Sequence, residues 1–274
     1  MDDVSAFYTG PGELVTAIRS ALDAAGVDLH SLRPSDLAPV DEFHIRGRHA
    51  TTEIVQALAL DEGARVVDLG SGLGGPARML AEATGCIVTG IDLTPEFREV
   101  ATALSQWTGL SDRTHFLVGD ATDTGLPDAS ADAVMTVHVA MNIADKAALC
   151  SEAFRLLRPG GAFVLYDVLQ GEGGALHYPV PWANDASTSF LATAKEMRGH
   201  LSAAGFTIRS ETDSSDESLA WFREMRARIE RDGPAPVTFA AFLGQAFGEM
   251  AANQVANLAE RRIRTVMFAC TRPL

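Results

Sequence analysis

Apolar positions along this 274-residue chain follow two alternating periods. Short runs rich in Val, Ile, Leu and Phe, at Val66–Leu69, Cys86–Ile91, His115–Val118, Ala133–Val137 and Ala162–Tyr166, read as buried strands. Between them lie longer stretches whose apolar residues recur every three or four positions, the spacing of helices with one buried face. Strands alternating with helices predict an α/β chain with a doubly wound, mostly parallel sheet. Helix signals fall at the expected joints: Thr94-Pro95-Glu96 opens one helix, and Arg158-Pro159-Gly160-Gly161 is read as the terminator of a helix from Lys146 to Leu157.

The flanks are less regular. Leu14, Ile18 and Leu22 form a helical stripe that ends at Gly26, and Leu29 to Val40, with Pro34 and Pro39, reads as a connector. Residues 1–60 are therefore expected to be an N-terminal helical lid, and 61–274 the main domain. After a helix over Ser189–Ala204, Phe206–Ser210 and Arg262–Thr271 read as two further strands, making seven. Residues 215–261 between them are too long for a simple crossover and are expected to be a helical insertion. Its apolar stripe, Phe239, Phe242, Leu243, Phe247 and Met250, is expected to pack on a lid or a partner chain.

Candidate chemistry concentrates on Val66 to Pro76, where a strand runs into Asp68 and then four glycines within six positions. Such a turn needs glycine because the backbone takes positive φ and approaches a ligand closely. The stretch fits two patterns. Gly70, Gly72 and Gly75 match the dinucleotide pattern G-x-G-x-x-G, whereas Asp68, Gly70, Gly72 and Gly74 match D-x-G-x-G-x-G. Asp92, at the end of the second strand, stands where a carboxylate can accept hydrogen bonds from both hydroxyls of a ribose, which suits either kind of nucleotide.

The ordered set Asp68-Leu69-Gly70-Ser71-Gly72-Leu73-Gly74, Ile91-Asp92, Gly119-Asp120-Ala121, Leu126-Pro127 and Leu157-Arg158-Pro159-Gly160-Gly161 resembles class I S-adenosylmethionine (SAM) dependent methyltransferases. Among them it is similar to small-molecule enzymes of the glycine/sarcosine and dimethylglycine type. The resemblance implies a Rossmann-like sheet of seven strands with added helical lids, SAM as cofactor and S-adenosylhomocysteine as product. It also implies cofactor contacts: Asp68 with Gly70, Ser71, Gly72 and Gly74 at the methionine end, Asp92 at the ribose, and Leu93, Asp120, Ala121 and Val137 around the adenosine. A rival dinucleotide oxidoreductase has no use for Gly119-Asp120 together with Leu157 to Gly161.

Composition narrows the partners. With 36 acidic against 22 basic side chains the net charge is -14, so the protein's own field repels a nucleic-acid backbone or an anionic membrane. A small-molecule acceptor is expected, with a homo-oligomer left open. Three scattered cysteines, an N-terminus without a leader pattern and the lack of any long apolar run suggest a cytoplasmic protein with no metal site.

The acceptor side is expected from irregular segments. His138 and Asn142 follow the fourth strand at the ligand-binding edge of such a sheet. His138 is the candidate base if the acceptor loses a proton, or else a ring that orients the loop; Asn142 binds substrate or caps the next helix. Tyr178 and Trp182 stand on a proline-stiffened loop and either hold an ammonium by cation-π contact or form a packed lid. His44, with His49, Arg46 and Arg48 close by, either lines the pocket or belongs to a solvated helix start, and Tyr8 is a further candidate for the acceptor wall. The expected reaction is methyl transfer to the nitrogen of a small amine, with oxygen or carbon of a natural-product metabolite as the alternative.

Overall fold

The computed structural model describes residues 14–235 and 246–274. Seven strands form one sheet: β1 (Arg65–Leu69), β2 (Ile87–Asp92), β3 (Thr114–Val118), β4 (Ala131–Val137), β5 (Leu157–Gln170), β6 (Thr207–Asp213) and β7 (Ile263–Thr271). Their order is β3-β2-β1-β4-β5-β7-β6. The first five pair in parallel, and β7 runs antiparallel to both β5 and β6. From β1 the chain winds outward to β3 and then returns to place β4 on the other side of β1. That reversal leaves a crevice beyond the carboxyl ends of β1 and β4, where open α/β sheets bind ligands.

Side-chain alternation assigns the two faces of the sheet. Val67, Leu69, Phe163 and Leu165 pack with α6 (Lys146–Leu156) and α7 (Ala194–Ala203), while Val66, Val164 and Tyr166 pack with α3 (Arg48–Leu58) and α4 (Gly75–Thr84). On the second face, α1 (Leu14–Ala24) and α2 (Pro34–Asp41) share a cluster with α5 (Pro95–Trp107) through Ile18, Leu37, Val100 and Leu104. Between β6 and β7 the chain forms α8 (Ser215–Asp232) and, further on, α9 (Phe247–Ala259).

Three local expectations change. Pro34 and Pro39 do not make a connector: Pro34 occupies the first position of α2, where its missing N–H costs nothing. Gly160 and Gly161 do not cap α6, which already ends at Leu156 with an extended Leu157 as its cap. They sit inside the entry to β5, where Gly160 has φ 80° and a Cβ on Gly161 would stand 3.0 Å from the Asp132 carbonyl oxygen. The cap at the start of α6 is Asp145, whose Oδ1 accepts from the Ala148 N–H at 2.9 Å. Cys86, Cys150 and Cys270 are all buried, as small core residues. No helix among the described residues is long and apolar enough to cross a membrane.

Candidate active site

A cavity of about 940 Å³ opens along the carboxyl ends of β1, β2 and β4. One end is built on the glycine-rich turn after β1. The Gly70 and Ser71 N–H groups both donate to the Ile91 carbonyl, at 2.8 and 3.0 Å, which folds the turn back over β2. Gly70 has φ 80°, and a Cβ there would come within 2.2 Å of Val139. Gly72, at φ 52°, has no atom within 4 Å of such a Cβ, so its bare side faces open space. Gly74 and Gly75 serve packing instead: a Cβ would strike Phe116 at Gly74, and the Asp41 carbonyl oxygen, at 2.3 Å, at Gly75.

Two carboxylates flank this turn. Asp92 accepts from the Gly72 N–H at 2.8 Å and from the Thr94 N–H at 2.9 Å, so its orientation is fixed. Asp68 is only 1% exposed, and its Oδ2 has no partner among the described residues. Burial, reinforced by the nearby charge of Asp92, pushes the Asp68 carboxyl up to about 8. Further along, Asp120 Oδ1 accepts from both the N–H and the hydroxyl of Thr122, at 2.8 and 2.7 Å. Asp68, Gly70, Ser71, Gly72, Asp92, Leu93, Asp120, Ala121 and Val137 all line the cavity; Gly74 does not.

The other end is assembled from distant segments. His138 follows β4 with φ 54°, unusual for a residue with a side chain. Asp167, fully buried near the carboxyl end of β5, holds this loop: its Oδ2 accepts from Val139 and Ala140 at 3.0 and 2.7 Å, and its Oδ1 from Met141 and Val168 at 3.3 and 2.8 Å. Burial raises the Asp167 carboxyl to about 6, opposed by those donated hydrogen bonds. Asn142 lines the cavity and does not cap α6; its Nδ2 donates to the carbonyls of Trp182 at 2.8 Å and Thr188 at 3.0 Å. It pins the loop after β5. Trp182 is 1% exposed, its Nε1 donates to Ser189 Oγ at 3.0 Å, and its ring reaches the cavity wall.

The segment between α2 and α3 is folded into the site rather than solvated. Glu42 and His44 are buried, and both line the cavity with Arg46, Arg48 and His49. Thr51 Oγ1 donates to Glu42 Oε2 at 2.5 Å, and His44 Nε2 lies 3.0 Å from the Gly47 carbonyl oxygen. The His44 ring packs edge-on to His138, with centroids 5.9 Å apart, and the Tyr166 hydroxyl donates to the Ile45 carbonyl at 3.2 Å. Burial pushes His44 down to about 4 and His138 well below its ordinary value, so both rings are neutral near pH 7. Tyr178 is not at the cavity; it packs beside Trp182 in the cluster around Val168. Tyr8, Phe239, Phe242 and Leu243 lie outside the described residues.

Several cavity residues were not singled out from the sequence. Trp221, Phe222, Met225 and Ile229 of α8 and Ala251 of α9 form an apolar wall over the acceptor end, joined by Phe247 from the stripe expected to pack on a lid or a partner chain. Their helical spacing was legible, but the side they face was not. Arg78, wholly buried, was also missed: its Nη2 donates to Asp41 Oδ2 at 2.7 Å and to the Leu73 carbonyl at 2.5 Å, tying α2 to the glycine-rich turn. Among the described residues no cluster of His, Cys, Asp and Glu has the arrangement of a metal site.

The cofactor end fits SAM on physical grounds. An unpartnered buried carboxylate at Asp68 needs a donor or a cation, and SAM carries both an ammonium and a sulfonium. The open side of Gly72 leaves room beside it, and Asp92 presents a fixed carboxylate of the kind that takes ribose hydroxyls.

Comparison with known proteins agrees. Residues 67–165 match a family model described as a methyltransferase domain. A sterol 24-C-methyltransferase of Gibberella zeae is 33% identical over 144 residues, 53% of this chain and 37% of that protein. Phosphoethanolamine N-methyltransferase 1 of Arabidopsis thaliana is 36% identical over 197 residues, 68% of this chain and 37% of that protein. The chain thus spans just over a third of the length of these two relatives. In fold it resembles a crystal structure from Galdieria sulphuraria, provisionally described as a sarcosine dimethylglycine methyltransferase, with TM-score 0.66 and 15% identity, covering 94% of this chain and 97% of that one. The glycine-rich turn headed by Asp68, the strand order and the family match lead to one assignment: the chain belongs to the class I SAM-dependent methyltransferases.

Proposed function

We propose that this protein is an enzyme that transfers the methyl group of SAM to a small, largely apolar acceptor, at an oxygen or an acidified carbon that gives up a proton. The observation that carries this reading is a single cavity with the Asp68 and Asp92 carboxylates at one end and the His44 and His138 imidazoles at the other. SAM, when bound, supplies an electrophilic methyl group. The protein has to hold the acceptor close, aligned and dry, and to take its proton. Two neutral imidazoles suit the proton, and the wall of Trp182, Trp221, Phe222, Met225 and Phe247 suits the apolar body. The volume sits near the top of the roughly 300 to 1,000 Å³ range of small-molecule pockets, which favours two molecules side by side. On this reading the described parts of 1–60 and 215–261 act as covers over the acceptor, and His44 and Trp182 contact it.

Transfer to an amine nitrogen is the second reading. It is favoured by the Glu42 carboxyl in the cavity wall, which when ionised would attract an ammonium. It is disfavoured by Tyr178, which stands apart from Trp182's cavity face, so the two rings do not make a shared cage. The named relatives include both a sterol C-methyltransferase and a phosphoethanolamine N-methyltransferase, so kinship leaves both atoms open.

The test is S-adenosylhomocysteine release across a panel of phenols, enolic carbonyls, carboxylates and amines, beside calorimetry with S-adenosylhomocysteine and NADH. Binding of S-adenosylhomocysteine, with turnover of phenols or enolic carbonyls, is the expected result. Turnover of amines alone moves the proposal to nitrogen, and NADH binding without S-adenosylhomocysteine binding overturns it.

A further inference from the structure

The two imidazoles at the acceptor end differ in what stands behind them. His44 Nε2 is 3.0 Å from the Gly47 carbonyl oxygen, 3.2 Å from Thr51 Oγ1 and 3.5 Å from Glu42 Oε2. A carbonyl oxygen only accepts, so the proton of the neutral ring stands on Nε2 and the lone pair on Nδ1. His138 is the opposite case. Its Nε2 is buried and has no partner among the described residues. A second proton on that ring would leave a charged group with an unsatisfied N–H if Nε2 carried it. At His44 the same event leaves Nε2–H bonded to a carbonyl with a carboxyl group alongside.

Building on the reading that the acceptor gives up a proton, we propose that His44 is the catalytic base, taking that proton at Nδ1, and that Glu42 is a positioning residue acting on the Nε2 side of the ring. The acceptor's O–H or C–H bond breaks and its electron pair forms the bond to the methyl carbon. The pair of the broken carbon–sulfur bond stays on sulfur, and the proton passes to Nδ1. His138 is a wall, tilted against Tyr166 with centroids 5.1 Å apart and fixed by the loop that Asp167 holds.

The charged surroundings are mixed. Arg46 disfavours a second proton on His44, whereas Glu42, when ionised, favours it. Glu42 in turn faces Asp41, which opposes its ionisation, and Arg48, Arg78 and the Thr51 hydroxyl, which favour it. Burial outweighs these and holds Glu42 at about 8, so the group that would balance a charged His44 ionises on the alkaline side of neutrality. The rate is therefore expected to rise as pH passes through that value, and Glu42→Gln to abolish the rise.

The test begins without turnover. Long-range proton–nitrogen spectra of the full chain saturated with S-adenosylhomocysteine report which ring nitrogen carries the proton; Nε2–H with a bare Nδ1 at His44 is expected. An Nδ1-protonated His44 overturns the proposal, and this alone decides if no acceptor in the panel turns over. His44→Gln keeps a donor for the Gly47 carbonyl but no base. With a turned-over acceptor and saturating SAM, its kcat is expected to fall at least about 100-fold, while S-adenosylhomocysteine affinity stays within about twofold. His138→Gln is expected to lose less than about tenfold; a larger loss there than in His44→Gln assigns the base to His138 and overturns the proposal. Wild-type protein that binds no S-adenosylhomocysteine sinks the methyltransferase reading instead, so the two failures are separable.

Discussion

The two ends of the cavity are made by different means. At the cofactor end the backbone shapes the site: Gly70 and Gly72 turn at positive φ, the Ile91 carbonyl receives two N–H groups, and carboxylates stand at the strand ends. Each of these residues lies next to a strand of the sheet, so strand order alone brings them together. At the acceptor end the parts come from the α2–α3 connection, the loop after β4, the loop after β5 and two helices inserted between β6 and β7. Side chains position one another there, as Asn142 does for the Trp182 loop and Asp167 for the His138 loop. A site of the first kind fails by losing its ligand, whereas one of the second kind fails by losing its packing.

The largest test of that contrast is Trp182→Ala. Removing a ring that is 1% exposed is expected to cost about 3 to 5 kcal/mol of stability in denaturant titration. Affinity for S-adenosylhomocysteine in the folded fraction should stay within about twofold, because the hydrogen bonds that hold Trp182 go to Asn142 and Ser189 and not to the cofactor end. A large loss of affinity would show that the ends are coupled.

Asp92→Ala is the converse. Calorimetry should show S-adenosylhomocysteine binding weakened on the order of 100-fold, or about 2.7 kcal/mol. An unchanged affinity removes the ribose assignment.

A smaller effect separates the ends through pH. The Asp68 carboxyl stands at about 8 in the folded protein, above its value in an unfolded chain. The folded state therefore holds that proton more tightly, so the stability it contributes is full below about pH 4, the carboxyl's range in an unfolded chain, and is lost progressively as pH rises from there to about 8. Melting temperature of the free protein should decline over that range. Asp68→Asn should flatten the decline in part, the remainder coming from other buried carboxyls, among them Glu42, raised to about 8, and Asp167, raised to about 6. If Asp68→Asn leaves the decline untouched, Asp68 is not the group responsible. The smallest expected effect is Leu93→Ala, a half-exposed side chain whose loss should change S-adenosylhomocysteine affinity by less than about threefold.

The same contrast explains what the sequence disclosed. The strands, the turn from Asp68 to Gly74 and Asp92 are local patterns, and all of them stand where their spacing puts them. Gly74 fits the pattern but turns its bare side to Phe116, because a pattern records backbone conformation and not the direction of a neighbour. The acceptor end was only partly legible. His44 and Glu42 belong to a charged stretch that also suited a solvated helix start, and only their burial against Tyr166 and Thr51 decides between the two. Arg78 looks like an ordinary helix-surface cation until Asp41 is seen opposite it. No spacing rule anticipates a contact between residues 37 positions apart on different helices.

The position of β7 between β5 and β6 has a consequence for the order in which the molecule can be assembled. Every strand that carries a cofactor residue precedes residue 170, so that half has all its pairing partners once β5 exists. Among the described residues β6 has no neighbour in the sheet except β7, which comes after α8 and α9 in the chain. A chain emerging from the ribosome can therefore close its nucleotide-binding crevice early, while the cover over the acceptor waits for residues 263–271. Truncated nascent chains ending before β7 should bind S-adenosylhomocysteine weakly and leave the Trp182 pocket exposed to protease.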